Sequence, residues 1–324
     1  MRLIANPDYY DGDPKLERVE YKVLADVNTH VAQLLSGELS IFALDDQAAL
    51  ARLEAARDIE IVPTYTPRFF WIALNQENDF FTDVKVRRAM LHAIDRPYII
   101  ETVLNGYGTP ADAGISPAMQ YYYNSDVPRY EYDPERAARL FAEAGWEDSD
   151  GDGVLDKDGT PFSFLFEVGI QGNLVRIGQI VQQQLREAGL DARFETLEWN
   201  TMIQKNVIRR DYDMILNWWR YPADPDLLPY FHSSTAGTGY NIPGYRDSKL
   251  DELLEAGSTI ADPEERRGIY LELQDYMAET LPYLFLWYPM ETAVRRANLE
   301  GVPESLGFGD SLHYIDEWWI SGDD

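Results

Sequence analysis

Alternating and helical hydrophobic patterns run through this chain in an order that marks an α/β protein. VEYKVL (19–24) alternates as a strand, and a helical run from Thr29 to Ser36 stops at Gly37. SIFAL (40–44) predicts a short strand, a helix follows from about Asp46, and IEIV (59–62) predicts another strand. FFWIALN (69–75) is almost continuously apolar, the pattern of a strand buried on both faces. In DVKVRRAMLHAIDR (83–96), Val86, Ala89, Met90, Ala93 and Ile94 share one helical face. A second helix follows Pro97 and ends at Gly106, and a long Tyr-, Pro- and Gly-rich loop comes next. DPERAARLFAEAG (133–145) has an Asp cap, Pro at the first helical position and a closing Gly.

The middle of the chain carries the most topology. FSFLFEV (162–168) reads as a strand, 173–188 as a helix with Leu174, Ile177, Val181, Leu185 and Ala188 on one face, and LDARFETLE (190–198) as a strand. A helix over 199–210 and a third strand, YDMILNWW (212–219), complete a β-α-β-α-β order, which implies a parallel sheet. Helices over 247–256 and from the Asp262–Pro263 cap follow, then a second buried strand, YLFLWY (283–288). Ligands of open α/β sheets sit beyond the carboxyl ends of the strands. NWWRYPADPD (217–226) leaves such an end, and alternation sends Trp218 and Trp219 to opposite faces. At most one of the two can be pure core; the other faces a crevice or the opposite layer.

Composition narrows the function classes. The 324 residues, 45% hydrophobic, are enough for a large core and more than one lobe. Fifty-six acidic residues against 28 basic ones give a net charge of −28, which repels nucleic acid and anionic lipid, so neither is expected as a partner. The acids are spread over nearly every segment and Arg (22) far outnumbers Lys (6), the composition of a surface adapted to high salt, so the protein is expected to be halophilic. The absence of cysteine excludes disulfides, thiol catalysis and thiolate metal sites. The opening MRLIANPDYYDGDP resembles neither a signal peptide nor a membrane span.

Local motifs are few. DSDGDGVLDKDG (148–159) opens like a calcium loop, with Asp148, Asp150, Asp152 and Gly153, but its twelfth position is Gly159, for which Asp156 would be a partial substitute; the plain reading is an acidic turn. His30, His92, His232 and His313 lie far apart without metal-ligand spacing, and no phosphate loop, nucleophile elbow or dinucleotide fingerprint occurs. No pair of carboxylates is singled out for hydrolysis. No cofactor is expected.

Five blocks in order nevertheless resemble one family. They are NPDYYDGDPKLERVEYKVLADVNTHVAQLLSGELSI, FFWIALNQENDFFTDVKVRRAMLHAIDR, YDPERAARLFAEAGW, GYNIPGYRDSKLDELL and DPEERRGIYLELQDYMAETLPYLFLWY. The chain resembles the peptide/nickel-type solute-binding proteins of ATP-driven (ABC) importers, extracellular family 5. The resemblance implies a two-lobed fold like that of type II periplasmic binding proteins, with the N-terminal portion of lobe one missing. It places the remainder of lobe one in 1–75 and 281–324 and lobe two in 76–280, with the strands at 69–75 and 283–288 as hinge crossings. It implies peptide as solute, membrane permease subunits as partners, an extracellular or periplasmic location and no catalysis. Alternatives are another solute on the same scaffold, such as a sugar or nickel chelate, or a secreted hydrolase using cleft carboxylates.

The same resemblance supplies candidate ligand-binding residues. Counting back from Asp224-Pro225-Asp226, the family's cleft Trp falls on Trp218 and its amine-binding Asp on Tyr221. Arg220 stands where a small residue is usual, and Trp71 and Asn241 complete the expected set. Tyr221 cannot pair with an ammonium, so a neutral, capped or anionic solute suits this chain at least as well, and Tyr221→Asp is expected to favour ligands with a free amine.

Overall fold

The apolar run expected at 69–75 becomes the strand Arg68–Leu74, and in this computed structural model Phe69, Trp71, Ile72 and Ala73 are wholly inaccessible. The structure describes residues 1–24, 26–44, 47–222, 224–237, 239–303 and 312–322. By its internal contacts the chain divides into two units, 67–289 and a smaller one made of 1–66 with 290–324.

In the larger unit the expected β-α-β-α-β order is present. Ser163–Gly169 pairs in parallel with Asp191–Leu197 on one side and Met214–Arg220 on the other, so the first strand of the motif lies in the middle. The helix Leu174–Glu187 packs Leu174, Ile177, Val181 and Leu185 inward, as its periodicity predicts. Gly178 allows its close approach, because a Cβ there would lie 2.7 Å from the Phe194 ring and 2.8 Å from Val168. The second connection is less regular than a helix over 199–210: Trp199–Met202 is α-helical and Ile203–Ile208 is a π turn.

Arg68–Leu74 adds antiparallel to Met214–Arg220, and Leu284–Phe285 add antiparallel to Arg68–Leu74. Residues 69–75 and 283–288, expected as crossings between lobes, pair within the larger unit. The strand holding YLFLWY is also longer than expected, Leu284–Arg296, and its residues from Met290 onward belong to the smaller unit. Two helices of the larger unit start where their Asp caps predict, Asp133 before Pro134 and Asp262 before Pro263, and a third, expected after Pro97, starts at Arg96 under an Asp95 cap; each Asp accepts backbone N–H groups of the first turn.

The smaller unit is built on residues 290–296, flanked by Ile41–Leu44 and Ile59–Tyr65, both antiparallel. Its helix Val27–Ser36 begins two residues before Thr29, because Asp26 caps it by accepting from the Thr29 N–H, and it closes at Gly37 with φ 81°. The helix expected from Asp46 runs Gln47–Leu53; Asp46 itself lies outside the described residues. VEYKVL is strand only at Arg18–Glu20, paired with Arg2–Ile4, and Val23 is fully exposed. Alternation there reflects no buried face.

Candidate functional site

The strand Met214–Arg220 presents two chemically distinct faces. Its register with Arg68–Leu74 pairs Arg220 with Arg68, Trp219 with Phe69, Trp218 with Phe70 and Asn217 with Trp71. Directly paired residues share a face and neighbours in sequence alternate.

One face therefore carries Trp219 with Trp71. The Trp219 ring lies 5.4 Å from Trp71, 5.0 Å from Tyr230 and 5.5 Å from Tyr240, and Tyr230 stacks on Tyr240 at 5.8 Å. The Tyr283 hydroxyl ties this group together: it accepts from Trp219 Nε1 at 3.4 Å and from the Ile242 N–H at 3.2 Å, and donates to the Tyr240 carbonyl at 3.2 Å. Burial pushes the Tyr283 hydroxyl well above the usual tyrosine range. Tyr240 caps the group from outside, 53% exposed.

The other face carries Arg68, Phe70, Trp218 and Arg220. The Arg68 guanidinium lies 4.7 Å from the centre of the Trp218 ring, a cation–π contact along the diagonal of the register. Phe70 stacks on Trp287 at 4.5 Å with the planes 16° apart. A register shift between Phe285 and Trp287 accounts for that contact: Phe285 packs on Phe69, and the shift turns Trp287 to the opposite face. Phe70 and Trp218 are half-buried, Trp287 is inaccessible and Arg220 is exposed.

The five residues expected to bind ligand separate accordingly. Trp218 and Arg220 lie on this second, partly open face. Trp71, Tyr221 and Asn241 are interior, with 0%, 2% and 1% exposure. Tyr221 packs on Phe69 and its hydroxyl accepts from the Ser116 N–H; burial raises its pKa well above the usual tyrosine range. Asn241 donates to the carbonyls of Phe231 at 3.0 Å and Tyr245 at 2.8 Å, so it fastens a loop. The Asp-Pro-Asp turn is held from below: Arg266 grips Asp224 with two contacts, 2.6 and 3.0 Å, and Asp226 accepts from the Leu228 N–H. Sequence reading missed Arg68, Phe70, Tyr230 and Tyr240. For Arg68 and Phe70 the almost continuous apolar run gave no sign of which positions share a face with Trp218; that needed the cross-strand register.

The acidic turn brings oxygens of Asp148, Asp150 and Asp152 within 4.8 Å of one another, all exposed. Their carboxylates accept N–H groups of their own loop, from Gly151 and Gly153 to Asp148, from Asp152 to Asp150, and from Val154 to Asp152. Asp156, the expected substitute ligand, is instead engaged by Ser149, and those hydrogen bonds lower its pKa. His92 is buried in its helix, with Nδ1 on the Glu131 carbonyl at 2.7 Å and a pKa lowered chiefly by burial.

The mixed sheet with its parallel βαβαβ core is a fold that this chain shares with solved solute-binding proteins. The oligopeptide-binding protein AppA from Bacillus subtilis, solved in complex with a nonapeptide, superposes with a TM-score of 0.76 at 35% identity, over 99% of this chain and 64% of that one. A profile described as bacterial extracellular solute-binding proteins, family 5 Middle, matches residues 1–241. The chain belongs to that family. In sequence it is 36% identical to the oligopeptide-binding protein AppA of Bacillus subtilis (strain 168), over 99% of this chain and 59% of that protein. It is 30% identical to the probable di/tripeptide-binding protein 5 of Pseudomonas aeruginosa (strain UCBPP-PA14), over 93% of this chain and 56% of that protein. The chain thus spans somewhat under six-tenths of the length of these curated relatives. The family is one of extracellular solute-binding proteins rather than enzymes. Among the described residues no helix is long and apolar enough to cross a membrane.

Proposed function

We propose that this chain supplies the solute-receiving surface of a peptide-binding subunit of an ATP-driven importer. The subunit acts outside the cytoplasmic membrane, passes its solute to permease subunits and carries out no catalysis itself. The observation that carries this reading is the Trp218 corner: half-exposed aromatic rings beside guanidinium groups, set at the carboxyl end of a strand in an α/β sheet. Aromatic planes accept varied side chains and backbone alike, which suits a solute class of varied sequence. Membership of the family, and relatives named for oligopeptides and di- or tripeptides, support peptide as the solute.

The test is thermal unfolding of the full chain with pools of dipeptides, tripeptides and nonapeptides. A ligand that binds only the folded state stabilises it by about 2.7 kcal/mol at one hundred times its Kd, an upward shift of several degrees. A family relative named heme-binding protein A supplies the control. No shift with any peptide pool, alongside a clear shift with heme or a nickel–histidine complex, would sink the peptide reading and keep the scaffold.

A further inference from the structure

We infer that the Asp158–Gly159 bond is a self-modification site, where the folded chain converts aspartate to isoaspartate faster than at its other Asp-Gly steps. In that reaction the Gly159 nitrogen attacks the side-chain carboxyl carbon of Asp158. An N–Cγ bond forms, the carboxyl hydroxyl and the amide hydrogen leave as water, and a succinimide ring results. Water then opens the ring at the former backbone carbonyl, so the chain continues through Cβ and Cγ and an α-carboxylate is set free. Atoms balance without oxidant, reductant or a second protein. The step needs a nitrogen uncrowded by a side chain, which glycine supplies, and an N–H that is not held elsewhere.

Glycine follows aspartate at four places, 11–12, 150–151, 152–153 and 158–159, and the structure separates them. The Gly12 N–H donates to the Tyr9 carbonyl at 3.2 Å. The Gly151 and Gly153 N–H groups donate to the Asp148 carboxylate at 2.8 and 3.1 Å. The Asp150 and Asp152 carboxylates are held as well, by the N–H groups of Asp152 and Val154. Even the one Asn-Gly step is closed, since the Gly106 N–H donates to the Ile100 carbonyl at 3.0 Å. Among the described residues the Gly159 N–H has no hydrogen-bond acceptor, and the Asp158 carboxylate accepts no hydrogen bond.

Local geometry favours the same bond. Asp156–Lys157 and Thr160–Pro161 pair antiparallel, so Asp158 and Gly159 form the two-residue turn of a hairpin, with φ of 53° and 75°. Positive φ strains an aspartate but not a glycine, and an isoaspartyl linkage escapes that restriction. Both residues are exposed. Apart from chain neighbours, nothing lies within 4 Å of where a Gly159 Cβ would be, so the peptide plane can rotate toward the carboxyl without collision. The product carries an extra backbone methylene beside Lys157, whose Nζ donates to the Ala144 carbonyl at 2.8 Å, and so loosens that tie.

The experiment incubates the folded full chain for several weeks in mildly acidic buffer, beside the same chain unfolded in guanidinium chloride. Peptide mapping then separates isoaspartyl from aspartyl peptides of equal mass, and fragmentation assigns the position. In the folded chain Asp158 should convert about tenfold faster than Asp11, Asp150 or Asp152, the factor that one N–H hydrogen bond adds to a barrier. Unfolding should make the four rates converge. Asp148→Ala, which releases the Gly151 and Gly153 N–H groups, should raise the rates at Asp150 and Asp152 toward that of Asp158. Equal rates in the folded chain, or faster conversion at another position, would overturn the assignment. A preference for Asp158 that survives unfolding would also overturn it, by tracing the preference to local sequence. Unchanged rates at Asp150 and Asp152 in a folded Asp148→Ala chain, its folding checked by thermal melting, would overturn the role given to the held N–H groups. Should that variant fail to fold, the folded and unfolded rates of the unaltered chain decide the question.

Discussion

Trp218 and Trp219 are neighbours of one residue type on one strand, yet they inhabit different chemistry. Trp219 is locked among Trp71, Tyr230 and Tyr240 and donates its indole hydrogen to Tyr283. Trp218 makes a cation–π contact with Arg68 and lies beside Phe70 and the end of the strand. The difference arises from pleating alone, which sends successive side chains to opposite faces, and from what the chain afterwards lays over each face. One face received a tyrosine-rich loop, the other arginines. Packing thus makes Trp219 part of the scaffold, while Trp218 stays half-buried on the face where the proposed recognition would take place.

The comparison breaks most visibly if its buried side is disturbed. Tyr221→Asp removes a buried ring, loses the hydrogen bond to the Ser116 N–H, and places a carboxylate in a site of 2% exposure. We expect a loss of about 4 kcal/mol or more, read as a fall in melting temperature, in place of the gain in amine binding that sequence alone suggests. Trp71→Ala, with the ring wholly buried, should cost about 3–5 kcal/mol in the same measurement. A Tyr221→Asp variant that melts like the unaltered chain would mean that residue 221 reaches solvent.

A sharper cut comes from the tryptophans themselves. Trp219→Ala should destabilise by about 2–4 kcal/mol, less than for a fully buried ring because Trp219 is only half-buried. Trp218→Ala should cost about 1 kcal/mol of stability, the cation–π contact with Arg68, and about 1–3 kcal/mol of solute affinity. Chemical denaturation with calorimetric binding of a retained peptide separates the two effects. If Trp218→Ala proves the more destabilising while binding persists, the roles of the faces are reversed.

Much of this comparison was legible in the sequence, for definite reasons. Alternation placed Trp218 and Trp219 on opposite faces without any structure, and the β-α-β-α-β order gave the parallel strands Ser163–Gly169, Asp191–Leu197 and Met214–Arg220. The placement of Tyr221 was not legible. Whether a residue just past a strand end turns inward depends on Pro67, whose carbonyl receives the Tyr221 N–H, and on Ser116, which is 105 residues away. Arg68 was invisible as a partner of Arg220 for the same reason: register between strands separated by nearly 150 residues is a tertiary property. Asn241 shows the limit of motif transfer. Its side-chain amide nitrogen donates to the carbonyls of Phe231 and Tyr245, so the loop's own geometry claims that donor.

The smallest expected effect concerns a charge on the Trp219 side of the sheet. Glu167 is the parallel register partner of Ile215, which lies two and four residues before Asn217 and Trp219 on the same face. Its side chain is inaccessible; Oε1 accepts from Lys205 Nζ at 2.7 Å, and Oε2 has no hydrogen-bond partner among the described residues. Burial raises its pKa, and Lys205 only partly offsets this. A carboxyl whose folded pKa lies above its unfolded value binds its proton more tightly in the native state. Its contribution is fully present below the unfolded pKa and is lost as pH rises through the folded one. Glu167→Gln keeps the shape and cannot lose that proton. The melting temperature of the variant relative to the unaltered chain should therefore rise between about pH 4 and pH 7. A difference that falls over this range would mean that the ion pair with Lys205 outweighs burial, and that this face tolerates charge as readily as the Trp218 face does. The unaltered chain is the right reference because its many other carboxylates titrate equally in both proteins and cancel in the difference.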